Sequence, residues 1–173
     1  MTPGEAATPL WGLALAYWLH MLATVVWVGG LTALVLFVLP AAQGSLDAPG
    51  YADFLDRVTR KLDPLGWLSL AVLVGTGLFQ MSASPNYRGF LVFDNRWAVA
   101  ILVKHLVIGG MIAVSAYLTW GVLPRLRRLA LRRAAGQETP EAAGLSRQET
   151  RLLRLNLFLG VLVLGLTALA RAS

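Results

Sequence analysis

The stretch Trp11–Leu39, WGLALAYWLHMLATVVWVGGLTALVLFVL, decides the fold. It holds no Asp, Glu, Lys or Arg, and a single histidine, His20. An uncharged apolar run of this length reads as a membrane-spanning helix. At the helical rise per residue it extends roughly 43 Å, more than the ~30 Å hydrocarbon core, so it tilts or continues past the bilayer. An ionisable side chain inside such a span is a functional candidate by default. The other histidine of the chain, His105, also lies in an apolar stretch.

Working outward, the whole composition agrees. Of the 173 residues, 57% are hydrophobic and 14% charged, against about 25% charged in a soluble domain, so the chain is an integral membrane protein. The net charge of +6 is grouped in the connections between apolar spans. That is how membrane proteins set orientation, and it argues against a nucleic-acid partner. Cysteine is absent, which excludes disulfides, thiolate metal sites, iron–sulfur clusters and covalently attached haem. The N-terminal MTPGEAATP lacks the basic residues of a signal peptide, so the first span is expected to be retained.

Four spans are predicted, at about residues 11–39, 65–81, 97–122 and 155–169. Pro40 is expected to end the first. YADFLDRVTRKLD, residues 51–63, reads as a short surface helix with Phe54, Leu55, Val58 and Leu62 on one side. Ser84-Pro85-Asn86 carries turn chemistry, and Ser146 with Glu149 fits a capping box opening the last helix. No internal repeat or second domain is visible. The predicted fold is all-α, a single four-span antiparallel bundle over residues 1–173.

Orientation follows from the basic residues. Connections 1–2 and 3–4 hold Arg57, Arg60, Lys61, Arg125, Arg127, Arg128, Arg132, Arg133, Arg147, Arg151 and Arg154. The opposite side holds Arg88, Arg96 and Arg171. Eleven against three places the arginine-rich connections in the cytoplasm and both termini outside, in a bacterial inner membrane.

Small and polar residues mark the faces expected to look inward. They are Ala16, Tyr17, His20, Ala23, Thr24 and Trp27 in span 1, and Gly66, Ser69, Thr76, Gly77 and Gln80 in span 2. Span 3 offers Ala98, His105, Gly109 and Ala116, and span 4 offers Asn156, Gly160 and Thr167. His20 and His105 each lie roughly 12–14 Å along their helices from a leading tryptophan, which predicts two imidazoles at one depth. Lys104 is the one fully charged side chain deep in a span, and either snorkels or faces an anionic group. The carboxylates all fall in connections or termini, so carboxylate-pair chemistry inside the membrane is not expected.

LHMLATVVWVGG (19–30), DPLGWLSLAVLVGTGLFQ (63–80) and FDNRWAVAILVKHLVIGGMIAVSAYLTWGVLPRL (93–126) resemble the CopD domain, a bacterial membrane domain associated with copper resistance or uptake. The resemblance covers most of residues 17–128 and implies His20, Trp27, Gly29, Gly30 and Lys104 as family-type positions. A more distant resemblance is to HemJ, a four-helix membrane protein that binds haem b and oxidises protoporphyrinogen IX. His20 matches its first-span histidine, and Lys104 after Trp97 matches its third-span lysine. HemJ continues with a Pro-Arg-Leu-Phe type motif and another histidine, where this chain reads LPAAQG, so the oxidase activity does not carry over.

Three functions remain on these residues. The first is a membrane-embedded b-type haem protein for electron transfer or redox chemistry, possible as an oxidoreductase. Its haem b would be held by His20 and His105, with Gly109 leaving room and Lys104, Arg88 and Arg96 meeting the propionates. The second is copper binding or transport through His20 and His105 with Met81. The third is a structural or assembly subunit without a cofactor. Lipid is the certain partner, and a redox partner or a second copy is the expected protein partner. Metalloprotease, nucleophile-elbow, phosphate-loop and dinucleotide motifs are absent.

Overall fold

The computed structural model describes residues 10–84 and 96–172. They form four helices, α1 (Leu10–Ser45), α2 (Ala48–Ser82), α3 (residues 96–134) and α4 (Glu141–Ala172), with no strand among the described residues. All four are long and apolar enough to cross a membrane. The chain is a multi-pass membrane protein with an all-α four-helix bundle.

Each helix outruns the span read from hydropathy. α1 continues through Pro40 to Ser45, and α3 continues through Pro124. Both prolines stand within two residues of a π-helical turn, Leu34–Val38 in α1 and Tyr117–Val122 in α3. A π turn already breaks the regular hydrogen-bond ladder, so the missing proline N–H costs little there. The stretch 51–63 is not a separate surface helix. It is the first part of α2, which runs on through Pro64. Phe54, Leu55, Val58 and Leu62 do share a face, and that face packs into the core cluster around Leu39, Tyr51, Val122 and Leu153. Nor does a capping box open the last helix at Ser146. α4 already begins at Glu141, and Glu149 is a buried mid-helix residue. The turn expected at 84–86 lies largely outside the described residues.

The connections are short. Asp47 caps α2, its carboxylate accepting from the Gly50 amide at 3.0 Å. Gly136, at φ 79°, reverses the chain after α3 in the left-handed conformation that only glycine takes freely. Short connections make α1–α2 and α3–α4 antiparallel hairpins. α2 also packs on α3, and α1 on α4, so α1 and α3 stand on a diagonal. The two hairpins meet mainly toward the end that carries the arginine-rich connections. There the Asp56 carboxylate on α2 accepts from Arg127 of α3 and from Arg60. Large apolar side chains such as Phe37, Leu106, Trp120 and Phe158 point outward, where lipid meets them.

Candidate functional site

His20 sits on the face of α1 that meets α2. Its ring approaches α2 so closely that a Cβ at Gly77 would lie 3.4 Å from His20 Cε1. Its Nδ1 is 2.8 Å from Thr76 Oγ1. The Thr76 hydroxyl has one proton and gives it to the Val72 carbonyl at 2.6 Å. Toward His20 it therefore accepts, which assigns the proton of the ring to Nδ1 and leaves a lone pair on Nε2. One turn away, Gln80 Nε2 donates to the Ala16 carbonyl at 3.0 Å, fixing α2 against α1. The imidazole is held from one side, and in its neutral form its other nitrogen is available as a ligand. This is the support that a ligating histidine usually has.

Lys104 of α3 and Arg171 of α4 are the charges that act on His20 across the bundle. Arg171 also lies over the Tyr17 ring, 5.1 Å from its centroid. Among the described residues Lys104 has no ion pair. The terminal end of the bundle thus carries a positive field around the His20 imidazole.

His105 is not part of this arrangement. It is exposed on the outer surface of α3, where its Nδ1 donates to the Ile101 carbonyl of its own helix at 2.7 Å. The inward face of α3 runs through Ala100, Lys104, Met111, Leu118 and Val122 instead. The step of about 100° between adjacent residues lets Lys104 or His105 face inward, but not both. The charged residue goes inside because an ammonium in lipid costs far more than a neutral imidazole. The expected pair of inward histidines is therefore corrected, and with it the haem clamped between spans 1 and 3. Gly109, expected to leave room for the macrocycle, is exposed and has nothing within 4 Å of an added Cβ. A copper site shared by the two imidazoles fails for the same reason.

The other expected positions divide as follows. Met81 is half-buried on α2, one turn beyond Gly77. Trp27 lies two turns from His20 and packs at Gly66, at 3.8 Å from an added Cβ, so it belongs to the opposite half of the bundle. Arg88 lies outside the described residues, and so does the side chain of Arg96 at the start of α3. No group of three or more His, Asp or Glu capable of holding a metal occurs among the described residues.

That opposite half contains what the sequence reading missed. A cavity of about 130 Å³ lies between all four helices, lined by Trp27, Thr59, Asp63, Trp67, Ser115, Glu149 and Asn156 among apolar residues. Glu149 is 1% exposed and Asn156 4%. Carboxylates do occupy the interior, contrary to the expectation that they stay in the connections, because α2 and α4 extend well beyond their apolar cores. A signal was present: Glu149, Leu153, Asn156 and Gly160 recur at helical spacing on the one buried face of α4.

The copper resistance protein D (CopD) family model matches residues 56–170 of this chain. No curated protein and no solved structure matches it. The match takes in α2 from Asp56 onward and all of α3, with α4 as far as Ala170. His20 lies before the matched segment, so its role rests on its own geometry. More than half of the sequence falls within the match, and four membrane-spanning helices accompany it: the chain belongs to the copper resistance protein D (CopD) family.

Proposed function

We propose that this protein handles copper in the membrane, binding Cu(I) at the terminal end of the bundle through His20 Nε2, with Met81 as the thioether ligand. The observation that carries this reading is the His20 tautomer: Thr76 holds Nδ1–H, and Nε2 keeps its lone pair. Imidazole and thioether together suit Cu(I), the softer ion. The charges of Lys104 and Arg171 favour the same choice, since their repulsion of a monovalent ion is about half that of a divalent one at equal distance. Haem is not proposed, because the second axial histidine faces away.

The count of basic residues supports a cytoplasmic arginine-rich end and an outward-facing copper site in a bacterial inner membrane. The chain has no cysteine, so Ser84→Cys and Gly136→Cys give clean reporters. An impermeant thiol reagent applied to intact cells is expected to label Cys at 84 and spare it at 136. The reverse pattern would move the site to the cytoplasmic side.

Anaerobic titration of the purified protein with Cu(I), in competition with a chromophoric chelator, tests the copper reading directly. A single retained copper is expected, with Cu(II) bound more weakly. Protein that retains no copper, or that purifies with a stoichiometric Soret band, would overturn the proposal.

A further inference from the structure

The interior cavity in the arginine-rich half presents an unbalanced set of polar atoms. Glu149 Oε1 and Oε2 and Asn156 Oδ1 are buried and have no hydrogen-bond partner among the described residues. All three are acceptors when the carboxyl is ionised. Asp63, on the facing side of the cavity, is better supplied: its Oδ1 accepts from Thr119 at 3.0 Å. What the cavity lacks is a donor or a positive charge.

The surrounding charges do not supply one. α1 contributes Val26, Trp27, Gly30, Leu31 and Leu34, none of them titratable. From α2 come Asp63 and, next nearest, Asp56, both of the same sign as Glu149. α3 brings Arg125, Arg127, Arg128, Arg132 and Arg133 to this end, none of them in the cavity lining, and Arg127 is engaged with Asp56. α4 adds Glu149 itself, while its Arg147, Arg151 and Arg154 are exposed and outside the lining. An ionised carboxylate left unpaired in such a place costs several kcal/mol. A proton removes that charge and turns one acceptor into a donor. A divalent metal ion fits poorly, because Mg²⁺ and Ca²⁺ need six or more oxygen ligands and several carboxylates. The side chains offer no imidazole, thioether or thiolate for a soft ion either.

We propose that Glu149, with Asp63 and Asn156, forms a proton-binding site in this cavity that exchanges with the aqueous phase at the arginine-rich end. The cavity is roomy enough for several water molecules, each needing about 30 Å³ in the liquid, and Thr59, Asp63, Ser115, Glu149 and Asn156 offer them partners within a mostly apolar lining. Glu149 stands eight residues, about two turns, from the start of α4 at the arginine-rich end, and the half-buried Asp63 shares the cavity with it. This site lies at the other end of the bundle from His20 and does not depend on the copper reading.

Infrared difference spectroscopy of the full chain in lipid nanodiscs tests it. At neutral pH a protonated-carboxyl C=O band is expected, shifted in D₂O and titrating away as pH rises. Glu149→Gln is expected to remove the band, since the amide mimics the neutral acid without its proton. Asp63→Asn is expected to keep it. Glu149→Asp places a shorter carboxyl in the same cavity and is expected to give a shifted band, which carries the test should Glu149→Gln fail to fold. A band that persists in Glu149→Gln, or no band at neutral pH, would overturn the proposal. A band that does not respond to D₂O would remove the exchange. A band that appears only when sodium is replaced by choline would assign the cavity to an alkali cation instead.

Discussion

Replacing His20 by alanine is expected to abolish Cu(I) binding, while His105→Ala leaves it within about twofold of the unaltered protein. The two histidines are chemically alike, and both donate Nδ1–H to an oxygen. They differ in where the other nitrogen is offered. His20 stands between α1 and α2, against Thr76 and Gly77, whereas His105 stands on the exposed surface of α3. Thr76→Val refines the test. It keeps the shape of the side chain but removes the acceptor that orients the imidazole and fixes its tautomer. Loss of such an outer partner commonly costs about 10–100-fold in metal affinity. Thr76→Ser, which keeps the hydroxyl, is expected to restore most of it. Chelator competition on the four variants measures all of these values. Equal losses in His20→Ala and His105→Ala would place the metal elsewhere.

Gly160→Leu is expected to destabilise the bundle by about 1–3 kcal/mol or more, through overpacking where α4 meets both α3 and α1. An added Cβ at Gly160 would already lie 3.4 Å from Met111 Cε and 3.6 Å from Val28 Cγ1. Met111 is 1% exposed and its neighbours are close, so the space beyond the first carbon is filled. In water, part of such a clash is offset by burying more apolar surface. In a bilayer it is not, because the displaced side chain was already in an apolar solvent. Gly160→Ala is expected to cost less than about 1 kcal/mol, since a lone Cβ meets the flexible end of Met111 at near-contact distance. Gly165→Leu serves as the control on the same helix: nothing lies within 4 Å of its added Cβ, so the leucine projects into lipid. Reversible unfolding in mixed micelles, or steric trapping in bicelles, resolves the three. A Gly160→Leu variant as stable as Gly165→Leu would mean that α4 does not pack as closely as described.

Much of the architecture was legible because membrane spans announce themselves locally. A run such as Trp11–Leu39 has one stable solution in lipid, a helix with its backbone groups satisfied internally, whatever the rest of the chain does. The inward faces of spans 1, 2 and 4 were legible for a related reason. Their small and polar residues line up at helical spacing, and Ala16, Ala23, Ser69, Asn156 and Gly160 are all buried. Helix ends were less so. Pro40 read as a boundary, yet it is accommodated next to a π turn, as Pro124 is, and α2 runs on through Pro64.

Span 3 shows where the sequence alone stops. Lys104 and His105 are neighbours, and periodicity admits a face through either. Matching the depth of His105 to His20 favoured the histidine, whereas the packing of Ala100, Met111 and Leu118 against the bundle turns the lysine inward. The cavity around Glu149 and Asp63 lay further out of reach. Each residue by itself looks like part of a polar connection, and they come together only because α2 and α4 run as long helices that both line the cavity between the four helices. The sequence by itself determined four helices in a membrane and which end of them is rich in arginine, because hydropathy and charge act on each segment separately. The tertiary structure decided which of two adjacent side chains faces in, and which distant carboxyls share one cavity, because those outcomes depend on the rotation of packed helices against one another.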